Sequence, residues 1–410
     1  MDFPVQILAI STVLAVVLWY TSRRVRGSRY KTEKGLRAPE PSGALPIIGH
    51  LHLLGKQMTL ARTFAAMADK YGPIFTIRLG KYPTVVVSNP EAIKECFTTH
   101  DRSISSRPRS STGEYLGYNY AAFFANSGPF WREMRKIVSI QLLSSHRLKS
   151  LRHVQVSEVH TLINDLYLLC KKNKQGSARI VISECFERLK INMITRMIAG
   201  KRYLRSTEAE KEEEGKRIGK LMKEYMYISG VIVPSDLIPF LGWMNHFPGP
   251  VKTMKRLSRE LDSLMESWIQ EHKLKRLEST TENTSKMEGD DFIDVMLSLL
   301  DDSMFGYSRE TIIKATAMTL IIADQANVEV LGHHFELIPF GSGRRSCPGI
   351  TFALQVLHLT LARLLQGFDM KTPTGESVDM TEGLGVTLPK MTPLEILITP
   401  RLSPELYSEC

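Results

Sequence analysis

The sequence lacks the paired cysteines on which disulfide frameworks and structural zinc sites depend. Its 410 residues include five cysteines, which are Cys96, Cys170, Cys185, Cys347 and Cys410. Their number is odd and none belongs to a C-x-x-C pair, so the pattern argues against both kinds of site. This usage is typical of a reducing compartment, where one cysteine can have a special role.

Signals for nucleic-acid binding are also absent. No segment alternates basic and aromatic residues, and no zinc-finger spacing occurs. The chain nevertheless has a net charge of +10, which suits an anionic membrane surface or an acidic partner. Much of the excess follows the N-terminus, at Arg23, Arg24, Arg26, Arg29, Lys31, Lys34 and Arg37. We expect no nucleic-acid partner.

Charge is missing from the segment Phe3–Tyr20. As a helix it would span about 27 Å, close to the hydrocarbon thickness of a bilayer. Trp19 and Tyr20 would lie at the interface, and the arginines that follow would keep the body in the cytosol. The alternative, a cleaved signal peptide, needs positive charge before the apolar run, whereas Asp2 stands there. We predict a transmembrane anchor at 3–20.

The rest of the chain has no internal repeat. A basic and proline-rich neck at 21–50 precedes a body at 51–410, because its prolines exclude a continuous helix. In the body, Pro73–Pro90 has two β-branched runs separated by a turn, which predicts a β-hairpin. The polar segment Lys273–Asp291 predicts an exposed loop.

Most of the body has helical periodicity. A helix is expected to end at Gly200, and a buried helix to follow the capping residue Ser308 and end near Ala323. A second apolar helix is expected to end at Gly367, and short strands to follow it. The predicted fold is therefore mainly α with a minor β part.

The segment "PFGSGRRSCPG" places Gly341, Gly343 and Gly349 around Cys347. Glycine permits backbone conformations that a β-carbon forbids. A nearby helix start and two arginines favour the thiolate form of the cysteine. The loop is therefore suited to a nucleophile or a metal ligand.

Four interpretations of Cys347 remain open from these residues. A buried structural cysteine does not need flanking glycines, and a phosphate loop would end in Lys-Ser or Lys-Thr, which is absent. A catalytic thiol needs a histidine, for which His333 and His334 are candidates. The fourth interpretation is ligation of a haem iron by the thiolate.

The loop resembles the haem-binding signature of the cytochrome P450 family, F-x-x-G-x-R-x-C-x-G. The matching residues are Phe340, Gly343, Arg345, Cys347 and Gly349. The resemblance extends over nearly the whole chain, in blocks 1–323 and roughly 325–410, and is closest to plant microsomal members.

This resemblance implies a cytochrome P450 fold and a role for each residue. Cys347 would be the proximal ligand of the iron of haem b, and Phe340 would shield the sulfur. Arg345 would hold a haem propionate. Trp131 and Arg135 match the family's W-x-x-x-R helix and would hold a propionate as well.

Two family motifs are missing from the sequence. The central helix stops at Ala323 without the A-G-x-D/E-T-T run, whose acid and alcohol relay protons to dioxygen, so we assign no catalytic residue. The only E-x-x-R, Glu214 to Arg217, lies in a charged run that is typical of a solvated surface. Family members are longer by about a hundred residues. The resemblance therefore predicts an incomplete fold with a gap near 323–325.

The function implied is a haem-dependent monooxygenase that inserts one oxygen atom from dioxygen into an apolar plant specialised metabolite. NADPH would supply electrons through NADPH–cytochrome P450 reductase. The protein would be single-pass in the endoplasmic reticulum membrane with its body in the cytosol, and Ser110–Phe124 would line the substrate pocket. The alternatives are a truncated, catalytically impaired or non-catalytic relative, and a gene-model artefact of an intact enzyme.

Overall fold

A computed structural model describes residues 11–12, 14–15, 38–54, 59–204, 209–279, 291–323, 335–383 and 390–408. The predicted anchor at 3–20 lies largely outside these residues. Among the described residues, no helix is both long and apolar enough to span a bilayer. The chain divides into two compact units, one of Met1–Ile93 with Leu237–Gly242 and one of Lys94–Asp236 with Trp243–Cys410.

The described chain is mainly helical with a minor β part, as predicted. The helices are α1 (Leu60–Tyr71), α2 (Pro90–Thr98), α3 (Asp101–Ile104), α4 (Pro129–Ile137), α5 (Ser145–Ser150), α6 (Arg152–Lys172), α7 (Ile182–Ala199), α8 (Ala209–Ser229), α9 (Pro234–Leu237), α10 (Pro250–Ser279), α11 (Phe292–Leu299), α12 (Arg309–Ala323), α13 (Ile350–Gly367) and α14 (Glu405–Ser408). The strands are β1 (Ile74–Leu79), β2 (Tyr82–Val87), β3 (Ala178–Val181), β4 (Ser303–Met304), β5 (Tyr307–Ser308), β6 (Phe368–Lys371) and β7 (Glu395–Pro400).

The predicted hairpin is confirmed in the first unit. Strands β1 and β2 pair antiparallel, with Leu79 opposite Tyr82. Gly80 in the turn has φ +60°, and a β-carbon there would lie 2.3 Å from the carbonyl oxygen of Leu237. The turn therefore needs glycine both for its backbone conformation and for this close approach.

The end of the predicted neck packs against the same hairpin. Thr76 donates its backbone N–H to the carbonyl of Pro39 at 2.8 Å. His50 is fully buried; its Nδ1 accepts the N–H of Arg78 at 2.9 Å, so its Nε2 donates to the carbonyl of Pro41 at 2.9 Å. The described part of the neck is therefore held to β1 by hydrogen bonds.

The second unit contains a three-stranded antiparallel sheet in the order β3-β7-β6. Strands β6 and β7 follow α13, in agreement with the strands expected near the C-terminus. An apolar cluster joins this sheet to α6, α7 and α13, and includes Ile163, Leu364, Phe368 and Ile398. The helix that follows the cysteine loop is thus packed at its C-terminal end.

The larger apolar cluster surrounds α10 and α12. Ser308 caps α12 as predicted, because its Oγ accepts the N–H of Thr311 at 3.2 Å. Ile312 and Ile313 on α12 are fully buried. The described side chains of α12 are largely buried. Helix α13 exposes two large apolar side chains, Leu361 and Leu365.

The predicted loop at Lys273–Asp291 is wrong in its first part. Helix α10 continues to Ser279, and 280–290 lie outside the described residues. The polar side chains that suggested a loop instead pair with other helices. Lys273 contacts Glu310 at 2.8 Å, and Arg276 approaches Asp294 at 3.6 Å.

A buried histidine joins α10 to the start of α11. His272 is 2% exposed, and its Nδ1 lies 2.6 Å from the carbonyl of Trp268. Its Nε2 lies 2.7 Å from Oδ2 of Asp291, the residue whose Oδ1 caps α11. Both partners are acceptors, so both ring nitrogens must carry protons. Burial lowers the pKa of His272, but the hydrogen bond and charge of Asp291 outweigh burial and raise it overall.

We expect this pair to make the free energy of unfolding depend on pH. A raised pKa in the folded state means that the stabilisation is complete below the ordinary histidine value of 6.5. It is lost as the pH rises through the raised pKa. At pH 6, His272→Gln should destabilise the protein by about 1–3 kcal/mol and remove this alkaline dependence. Urea unfolding from pH 5 to 9 measures both effects.

The matched control is His146→Gln, because His146 is exposed. It should leave the pH profile unchanged. An unaltered profile in His272→Gln would show that the imidazole is neutral in the folded protein.

Candidate active site

The cysteine loop bends at two glycines before α13 begins. Gly341 and Gly343 have φ values of +66° and +67°, and the N–H of Cys347 donates to the carbonyl of Phe340 at 2.8 Å. Phe340 is 8% exposed. Gly349 differs from our expectation, because its φ of −90° suits any residue. The special backbone conformations are therefore those of Gly341 and Gly343.

Helix α4 places Trp131 and Arg135 beside this loop. Trp131 is 3% exposed. The guanidinium carbons of Arg135 and Arg345 lie 5.7 Å and 4.9 Å from the centre of its ring, within the range of cation–π attraction. Arg135 also donates from Nη2 to Oγ of Ser346 at 3.1 Å. The structure thus brings Trp131 and Arg135 of one helix together with Arg345 from a distant part of the sequence.

The indole N–H of Trp131 is buried and has no hydrogen-bond acceptor among the described residues. A buried donor without an acceptor is costly, so it indicates a missing partner. Burial lowers the pKa of Arg135, and the nearby Cys347 sulfur opposes that shift. This part of the site is therefore suited to an anionic group.

Arg345, which the sequence predicts to hold a propionate, donates to three backbone carbonyls. Its Nε donates to the carbonyl of Ser105 at 2.6 Å, its Nη1 to that of Phe123 at 3.1 Å and its Nη2 to that of Ala125 at 2.6 Å. Burial, with the charges of Arg107 and Arg135, lowers its pKa to about 10. It remains a cation at neutral pH, and it fastens the loop to the segment before α4.

An apolar cavity of about 240 Å³ adjoins the loop. Cys347 and Phe340 line one side of it, and Leu142, Ile198 and Thr319 line others. From the predicted substrate segment Ser110–Phe124, only Phe123 is among the described lining residues. Cys347 therefore borders an apolar cavity, which is the position expected of a cysteine that ligates the iron of a largely apolar cofactor.

The residues present fit a haem in their chemistry. The site contains Cys347, the indole N–H of Trp131 without an acceptor, and the neighbouring guanidinium groups of Arg135 and Arg345. An apolar cavity lies beside the cysteine. The cavity is smaller than the roughly 300–1,000 Å³ usual for ligand pockets. The side chains around Cys347 therefore suit a haem, whereas the cavity beside them is small.

Of the remaining sequence predictions, the structure describes some and leaves others outside the described residues. Arg217 lies 4.0 Å from Glu260 on α10 and is exposed, which agrees with a solvated surface for the Glu214–Arg217 pair. His333 and His334, the candidates for a catalytic thiol partner, lie outside the described residues. Asp101, whose buried carboxylate contacts Arg344, was not predicted, because no local sequence pattern marks it.

A cysteine before an apolar helix, beside a tryptophan flanked by cations, is an arrangement suited to a haem-thiolate protein, in which a cysteine thiolate ligates the haem iron. The chain belongs to the cytochrome P450 family. The family model for cytochrome P450 matches residues 39–327 and 323–396. The chain is therefore a cytochrome P450 monooxygenase, and the family implies a haem whose iron a cysteine ligates.

The similar proteins are plant cytochromes P450. Vinorine hydroxylase of Rauvolfia serpentina is 40% identical over 99% of this chain and 100% of that protein. Cytochrome P450 CYP82J17 of Trigonella foenum-graecum is 38% identical over 98% of each. Nicotine N-demethylase CYP82E3 of Nicotiana tomentosiformis is 35% identical over 99% of this chain and 100% of that protein.

These alignments are longer than the chain. The alignment with vinorine hydroxylase has 491 positions and the chain has 410 residues, so at least 81 positions contain no residue of this chain. The two segments matched by the family model overlap at 323–327.

Proposed function

We propose that Cys347 ligates the iron of haem b and that Trp131 and Arg135 hold a haem propionate. The observation that carries the proposal is the position of Cys347 on the apolar cavity, with the unpartnered indole N–H of Trp131 nearby. Arg345 would contribute charge and fasten the loop. Phe340, with Gly343 and Gly349, would complete the signature around the sulfur.

The reaction proposed is the insertion of one oxygen atom from dioxygen into an apolar plant specialised metabolite. Haem, when bound, supplies the activation of dioxygen. The residues of this chain fix its position and exclude water through the apolar walls. NADPH would provide electrons through NADPH–cytochrome P450 reductase. The names of the relatives, a hydroxylase of vinorine and a demethylase of nicotine, support a substrate of this class.

We further propose that a block of the family fold is missing after Ala323 and that haem retention and oxygen insertion are impaired as a result. Three observations support this. The family matches meet at 323–327, the sequence has no Asp-Thr pair, and the cavity measures only about 240 Å³. Without a positioned acid, proton delivery to dioxygen would be slow.

Sequencing the transcript across Thr319–Glu336 tests the origin of the gap. A transcript that encodes the 410 residues without interruption would support a truncated protein. A transcript with the intervening block would show a gene-model artefact, and the proposal of impairment would then fail.

We propose that residues 3–20 anchor the chain in the endoplasmic reticulum membrane and that the body, 51–410, faces the cytosol. The support is the apolar run followed by arginines. The only N-x-S/T sequon is Asn283-Thr284-Ser285. Because glycan transfer occurs in the lumen, this sequon should stay unmodified in microsomes. A mass shift that a glycosidase reverses would contradict the orientation.

A further inference from the structure

A buried carboxylate on α3 contacts the cysteine loop. Asp101, the first residue of α3, is 8% exposed. Its Oδ1 accepts the backbone N–H of Arg344 at 3.1 Å, and its Oδ2 lies 2.9 Å from Nε of the Arg344 guanidinium. One carboxylate thus binds both the main chain and the side chain of a single loop residue.

The fit between Asp101 and the loop is close. A β-carbon on Gly343 would lie 2.4 Å from Oδ1 of Asp101 and 3.1 Å from the carbonyl oxygen of Phe97. Together with its φ of +67°, this leaves glycine as the residue that allows the carboxylate to reach the backbone of Arg344. The position of the carboxylate and the identity of Gly343 therefore depend on each other.

The next residue, Arg345, attaches the loop to a second set of backbone groups. The guanidinium of Arg345 donates to the carbonyls of Ser105, Phe123 and Ala125. Ser105 follows α3 directly, so α3 and the residue after it hold both arginines. The two arginines are three and two residues before Cys347 in the chain, and their fixed positions restrict where its Sγ can lie.

We propose that Asp101 is a positioning residue for Cys347, acting through Arg344. The charge-assisted contacts of its carboxylate fix the turn Gly343–Arg345 and, through it, the place of the sulfur on the cavity wall. The assignment rests on the proposed role of Cys347 as the iron ligand. It gives α3 a part in haem ligation, although no residue of α3 touches the cavity.

Amide hydrogen exchange in the haem-free, full-length chain tests the contact between Asp101 and Arg344 directly. Asp101→Ala should speed exchange of the Arg344 amide by about tenfold or more, because it loses a charged acceptor. Asp101→Asn should have a smaller effect, since an amide oxygen still accepts the N–H. The control is Asp369→Ala, which removes an exposed aspartate paired with Arg401 and should leave this amide unchanged.

A double-mutant cycle separates positioning from general loss of structure. If Asp101 acts through the Arg344 side chain, the effects of Asp101→Ala and Arg344→Ala on exchange at Cys347 should be non-additive. In the chain loaded with haem, Asp101→Ala should shift the reduced, carbon-monoxide-bound band from the thiolate type towards the type of a protonated thiol. Asp101→Asn should restore part of it.

Additive effects, or exchange at Arg344 and Cys347 that is unchanged in Asp101→Ala, would overturn the proposal. A band that Cys347→Ser does not alter would instead refute the ligand assignment, whatever the exchange data show. The two failures can therefore be distinguished.

Discussion

If a block of the family fold is missing, as we propose, inserting it should raise the haem content of the purified protein by about tenfold or more, the ratio that roughly 1.4 kcal/mol of binding free energy produces. The variant replaces residues 324–335 with the corresponding segment of vinorine hydroxylase, which aligns over 99% of this chain. Cofactor binding stabilises only a folded state that offers the complete site. The present cavity of about 240 Å³ offers a cysteine but limited space. Haem per polypeptide, measured by absorbance after reconstitution, gives the comparison.

The control for this graft is a glycine–serine linker of equal length at the same position. The linker should not raise the haem content, because it adds length without apolar walls. Equal haem content in the grafted and original chains would mean that the block is not what limits cofactor retention.

Trp268→Ala should lower the free energy of unfolding by about 3–5 kcal/mol. Trp268 is fully buried on α10, and its Nε1 donates to the hydroxyl of Tyr203 at 2.7 Å. The substitution removes the largest fully buried side chain among the described residues and leaves a buried hydroxyl without its donor. The apolar cluster around it contains no residue of the cysteine loop, so the loss should not depend on haem. Urea unfolding followed by circular dichroism measures it.

Two variants complete the comparison. Trp268→Phe keeps most of the packing and should cost less than Trp268→Ala. Trp243→Ala removes a tryptophan that is 60% exposed and should change stability by less than about 0.5 kcal/mol. Similar losses in Trp243→Ala and Trp268→Ala would contradict the location of the core.

Local chemistry was sufficient to predict several elements. The β-hairpin followed from two β-branched runs separated by a glycine turn, and Gly80 has the positive φ that such a turn uses. The cap at Ser308 followed from its place before an apolar helix, and its Oγ makes the expected contact. These predictions succeeded because the residues that determine them are neighbours in the chain.

Predictions that depended on distant residues succeeded less often. Helix α10 continues beyond Lys273, whose side chain pairs with Glu310, 37 positions further on. The contact of Asp101 with Arg344 joins residues 243 positions apart, and no local pattern marks either partner. The family signature identified Cys347 and Arg345, but the three carbonyls that Arg345 binds are determined by tertiary packing.

The most direct measurement is the reduced, carbon-monoxide-bound absorption spectrum of the 410-residue chain, recorded beside Cys347→Ser. We expect a weak thiolate-type band that the substitution abolishes, because Cys347 is present and we propose that the opposite side of the haem site is incomplete. A full thiolate-type band, accompanied by substrate turnover with NADPH and the reductase, would contradict the proposed impairment. A band that persists in Cys347→Ser would contradict ligation by Cys347.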